Sequence, residues 1–78
     1  MKSIEDTIET KDLYLASLWY TKGLLMENVR HEGKQCYFIF QNAGAAKELE
    51  RRYFSKEELV IAKDYVNAVK TLKELIFR

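Results

Sequence analysis

His31 and Cys36, the only histidine and the only cysteine of this 78-residue chain, are the side chains best suited to bond-making chemistry. A structural zinc takes four Cys or His donors, and a catalytic zinc takes three plus water. Two donors exclude such a centre unless subunits share it. A Ser-His-Asp triad would need His31 as its base. The stretch His31-Glu32-Gly33 reads as a hairpin turn, the wrong setting for a buried relay, so His31 is expected to be a plain surface residue. Cys36 alternates with Phe38 and Phe40 and is expected to pack as a small core residue, with no cation clearly placed to activate it. Gly23, Gly33 and Gly44 stand alone, so no phosphate-cradling loop is present. Asn42-Ala43-Gly44 opens a helix, but almost any helix start offers an anion that much. Glu57-Glu58 pairs two carboxylates within a polar break, where they read as a solvated connector. The expectation is a non-enzyme with no catalytic residue, no cofactor and no metal.

The elements that would position any site follow from spacing. Residues 1–9 read as a flexible lead-in, and 10–78 as one domain. Thr10 is expected to cap a first helix, with Asp12 in its first turn, ending where Lys22 precedes Gly23. Leu24 to Arg30 reads as a strand, and Lys34 to Gln41 as a second, joined by a three-residue loop ending in glycine. Cys36 to Phe40 is the strongest β signal in the chain. Asn42 is placed to cap a second helix over roughly 43–53, with Ala45, Ala46, Leu49 and Tyr53 on its apolar face. Leu59-Val60-Ile61 is either a short strand or the start of the last helix, and its adjacent β-branched residues favour the strand. The last helix spans about 62–77 and buries Ala62, Tyr65, Val66, Val69, Leu72 and Ile76. The fold class is therefore α+β, order α-β-β-α-(β)-α, with helices on a small, mainly antiparallel sheet.

Composition supports a folded domain: 47% of residues are apolar and 32% charged. Thirteen basic residues nearly balance twelve acidic ones, for a net charge of +1, so no strong field draws the chain to nucleic acid or an anionic membrane. A single cysteine rules out an intramolecular disulfide. The first twelve residues contain no apolar run resembling a signal peptide, and no run approaches the roughly 20 residues of a membrane span. A reducing, cytoplasmic setting is expected.

Two features could carry a binding function. The first helix is apolar around most of its circumference, with only Ser17 and Thr21 forming a polar wedge. Either it sits buried between the sheet and the last helix, or part of Tyr14, Leu18 and Trp19 forms a partner surface, most simply for a second copy. The other feature is the aromatic strand. Tyr37 on one of its faces, together with Lys47, Arg51 and Arg52, could form a weak nucleic-acid surface, although Glu48 and Glu50 dilute the charge. The leading reading is a protein-interaction or self-associating module, possibly a homodimer. A nucleic-acid-binding accessory domain is the alternative.

Five segments together resemble a known family: Thr10-Lys11-Asp12-Leu13-Tyr14-Leu15-Ala16, then Lys22-Gly23, Tyr37-Phe38-Ile39-Phe40, Leu49 with Tyr53-Phe54, and Tyr65 with Leu72-Lys73-Glu74-Leu75. They are similar to short bacterial and phage proteins described only as a domain of unknown function. The likeness spans about residues 10–77. It implies an α+β fold and a bacterial or phage cytoplasmic setting, and it brings no activity and no catalytic residues.

Overall fold

The strand with the strongest β tendency becomes the centre of the sheet. In the computed structural model, which describes residues 6–77, the elements are β1 (Thr7–Thr10), α1 (Leu13–Thr21), β2 (Met26–Glu32), β3 (Gln35–Gln41), α2 (Ala43–Phe54) and α3 (Ala62–Ile76). The sheet order is β1-β3-β2, and both pairings are antiparallel. Aromatic and β-branched side chains on both faces of β3 suit a strand flanked on both edges. The α+β class and the antiparallel sheet agree with expectation. The order does not, being β-α-β-β-α-α.

Two local corrections account for that difference, and a third concerns the hairpin loop. Part of the expected lead-in falls outside the described residues, but 7–9 belong to β1, where Ile8 opposes Phe40 and Thr10 opposes Phe38. Four residues carry almost no strand signal alone, so the edge of β3 makes them a strand. Residues 59–61 form neither strand nor helix and run as an extended connection between α2 and α3. The hairpin is tighter than expected: Glu32 pairs with Gln35, leaving Gly33 and Lys34 as a two-residue loop with Gly33 at φ 59°. Glycine at the first loop position takes that backbone without a Cβ clash.

Helix ends follow their caps. Asp12, not Thr10, caps α1; its carboxylate accepts from the Tyr14 and Leu15 amides at 2.9 and 3.2 Å. At the other end Gly23 (φ 90°) donates to Tyr20 O and Leu24 donates to Trp19 O, the paired bonds of a Schellman motif. Asn42 caps α2 as expected, accepting from the Ala45 amide at 3.2 Å. Asp6 adds a carboxylate there, accepting from the Ala43 amide, also at 3.2 Å, where the helix dipole is positive. The end of α2 repeats the Schellman pattern with Lys56 at φ 64°, its amide bonded to Tyr53 O and that of Glu57 to Arg52 O.

The core gathers on one face of the sheet. Phe38 and Phe40 are fully buried together with Leu15, Ala16, Leu18 and Trp19 of α1, Ala46 of α2 and Leu72 of α3. Trp19 meets Phe40 edge-on at 5.3 Å between centroids, a favoured aromatic geometry. Its indole N–H donates to Ala46 O at 3.0 Å. The polar wedge of α1 is accommodated without loss: buried Ser17 donates its Oγ–H to Leu13 O and half-buried Thr21 its Oγ1–H to Ser17 O, each at 2.7 Å. The helix is thus enclosed by the sheet, α2 and α3, and the Tyr65 hydroxyl of α3 donates to Tyr14 O at 2.9 Å. The buried stripe of α3 differs from expectation. Ala68 and Leu72 are buried, Tyr65, Val69, Leu75 and Ile76 are half-buried, and Ala62 and Val66 are exposed.

Candidate functional site

Burial divides the expected partner surface on the first helix. Trp19 is 1% and Leu18 3% exposed, so neither lies on the surface of the chain. Only Tyr14 of the three reaches solvent. A helix apolar on nearly all sides is here packed on nearly all sides, and a ring of this size at the sheet–helix junction is core.

The expected nucleic-acid residues do not form one surface. Tyr37 projects from the sheet face opposite Phe38 and Phe40, whereas α2, bearing Lys47, Arg51 and Arg52, packs through Ala46 on the Phe40 side. The Arg30 guanidinium stacks over the Tyr37 ring at 4.5 Å and also binds Glu9 and Glu32. Its charge is held further on by the Glu9 hydrogen bond and then by Glu32. Glu27 accepts from Gln41 Nε2 at 2.9 Å, adding a third carboxylate around that sheet face. On α2, Arg51 bonds Glu48 at 2.8 Å and Glu57 at 3.5 Å, and the Arg51 hydrogen bond holds the Glu48 carboxyl below its ordinary range. Arg52 does not pair with Glu48 along the helix; it reaches Glu58 instead.

Glu58 organises the turn after α2. Its side chain is 11% exposed and lies 2.7 Å from both Lys22 Nζ and Arg52 Nε. Hydrogen bonds from Lys22 and then Arg52 push its carboxyl down to about 2. Lys22 also donates to Leu59 O at 2.7 Å, tying the end of α1 to the connection. The adjacent pair Glu57-Glu58 is thus not a simple solvated connector, since its second member is an anchored anion.

That anchor fixes the next three residues in an outward position. Leu59 is 81% and Ile61 69% exposed, with Val60 between them also open to solvent. Together with Thr21, Lys22 and Asp64 they line a shallow groove of about 390 Å³. Isolated exposed apolar residues are ordinary, but three consecutive large ones held out by a salt-bridged turn are not. Phe54, at the end of α2, is exposed as well. The sequence alone offered no signal for this placement, because a three-residue apolar run reads equally well as a buried strand.

The two chemistry-bearing residues are neighbours in space. His31 lies in β2 rather than in a turn, directly opposite Cys36 of β3, and its Nδ1 is 3.1 Å from the Cys36 Sγ. Cys36 is half-buried and free, not a closed core residue. Among the described residues no group of three or more His, Cys, Asp or Glu is placed to hold a metal ion. No helix among them is long and apolar enough to cross a membrane. No protein-family model, no curated protein and no solved structure matches the chain.

Proposed function

We propose that this protein is a non-enzymatic interaction module that associates with a second copy of itself through the connection between α2 and α3. The observation that carries this reading is the exposed run Leu59-Val60-Ile61, held outward by Lys22, Glu58 and Arg52. Beside it Lys22 and Arg52 share Glu58, and Asp64 lines the same groove, so these four charges sum to zero and give the patch no net sign with which to select a strongly charged partner. A two-fold dimer brings the same apolar patch against itself and leaves those ion pairs intact. The patch is small. A standard interface takes about 800 Å² from each partner, which would be a seventh of the 5577 Å² this chain exposes. Three side chains fall short of that area, so the dimer is a weak, concentration-dependent one. The bacterial or phage cytoplasmic setting belongs to the same proposal and rests on the resemblance described above, several of whose positions, Ala16, Phe38, Phe40 and Leu72, lie in the core.

Solution mass by light scattering over a concentration series tests the proposal. The expected result is a rise from monomer toward dimer that Ile61→Asp abolishes while the far-UV circular dichroism stays unchanged. A mass that remains monomeric at the highest soluble concentration refutes it. So does association that Ile61→Asp and Leu59→Lys both leave intact.

A further inference from the structure

We propose that His31 and Cys36 are half of a shared binding site for a borderline-soft divalent ion such as Zn²⁺, completed by the same two residues of a second copy. Register carries the first part of the argument. The two residues are direct cross-strand partners, so their side chains leave the sheet on the same face and side by side. Their donor atoms are 3.1 Å apart. A zinc bound to one sulfur at about 2.3 Å and one nitrogen at about 2.05 Å, at the tetrahedral angle, would separate those donors by about 3.6 Å. Opening the pair by half an ångström needs only a small side-chain rotation, which exposed His31 is free to make.

Donor chemistry carries the second part. Thiolate and imidazole are the ligand types that select zinc and similar ions over calcium or magnesium. Binding releases the thiol proton to solvent and uses the neutral imidazole, with no other change in bonding. Two donors leave a tetrahedral ion two positions short, and a second His31–Cys36 pair supplies them as a Cys₂His₂ set. Access permits this. Among the described residues β2 is an edge strand and no further strand shields His31, and the adjoining Gly33-Lys34 loop is exposed. This site uses neither Leu59 nor Ile61 and stands independently of the apolar patch.

The test is a titration of the reduced, full-length protein with Co²⁺ as a spectroscopic stand-in for Zn²⁺, with light scattering in parallel. The expected result is thiolate-to-cobalt absorption that saturates at one ion per two chains, together with a doubling of mass that a chelator reverses. Cys36→Ser abolishes the absorption, and His31→Ala raises the half-saturating Co²⁺ concentration at least about tenfold; circular dichroism confirms that both variants remain folded. Saturation at one ion per chain, absence of thiolate absorption, or a His31→Ala variant that binds like the parent overturns the proposal. Any association through the apolar patch persists in chelator and in both variants, so the two ideas fail separately.

Discussion

Trp19→Phe is the substitution that most directly probes how this small domain is held together. The indole is 1% exposed, packs edge-on against Phe40 and donates to Ala46 O at 3.0 Å. Removing a buried Trp entirely costs about 3–5 kcal/mol. The whole stability of a chain of this length, at about 0.05–0.15 kcal/mol per residue, is only about 4–12 kcal/mol. Trp19→Ala would therefore approach global unfolding and report little. Phenylalanine keeps one ring and loses the N–H donor together with part of the packed volume. The hydrogen bond contributes about 1 kcal/mol net, and the residual cavity a further 1–2 kcal/mol or so. The expected loss is thus about 2–3 kcal/mol. At about 4–8 °C per kcal/mol for a domain of this size, the melting temperature falls by roughly 10–20 °C. Urea unfolding followed by far-UV circular dichroism measures this directly. In the parent, Trp19 is the only tryptophan, so its fluorescence should be blue-shifted and poorly quenched by iodide until the chain unfolds. A Trp19→Phe variant within about 0.5 kcal/mol of the parent, or a native emission like that of free tryptophan, would refute the packing described above.

Three further outcomes follow from particular contacts. The Glu58 carboxyl titrates near 2 in the fold, against an ordinary value of 4.5, because Lys22 and then Arg52 bind it. A lowered folded value means that its contribution is complete above 4.5 and is lost as the pH falls from 4.5 toward 2. Thermal melts between pH 6 and pH 2 should therefore show a shallower acid dependence for Glu58→Gln than for the parent, and parallel curves would count against the cluster. Lys56 occupies a left-handed conformation that favours glycine, at the C′ position after α2. Lys56→Gly should raise stability by about 0.5–1 kcal/mol in urea denaturation, and a loss of that size would show that the turn is not strained. Gly23, at φ 90°, is the converse case: Gly23→Ala has open space for its Cβ but the wrong backbone, and should lower the melting temperature by several degrees.

Much of this architecture could be read from residue order, because local rules decide it. Asn42 before an Ala-rich stretch announces α2, and Lys22-Gly23 announces the end of α1. The alternation through Cys36, Phe38 and Phe40 marks a strand with one buried face. The class, α+β with helices packed on a small, mainly antiparallel sheet, follows from those elements. The stop after α2 falls within one residue of expectation, although lysine stands at the left-handed position where glycine would have signalled it.

What the sequence could not decide depended on contacts between distant segments. Thr7–Thr10 is a strand only because β3 offers an edge whose backbone groups need partners. Whether the apolar α1 was a partner surface or the core depended on α3, more than forty residues further along the chain, folding back over it; the answer is core, and Trp19 and Leu18 are enclosed. Tyr37 and the α2 arginines looked like one basic-aromatic patch in linear order, but the pleat sends them to opposite sides of the sheet. His31 and Cys36 are five residues apart in sequence, and only the two-residue loop brings them opposite each other. Leu59-Val60-Ile61 is exposed because Glu58 takes a cation from each of two helices and fixes the turn before it. Periodicity and capping are encoded within a few residues and survive reading in one dimension, whereas burial, register and ion pairing are properties of surfaces that exist only once the chain has closed on itself.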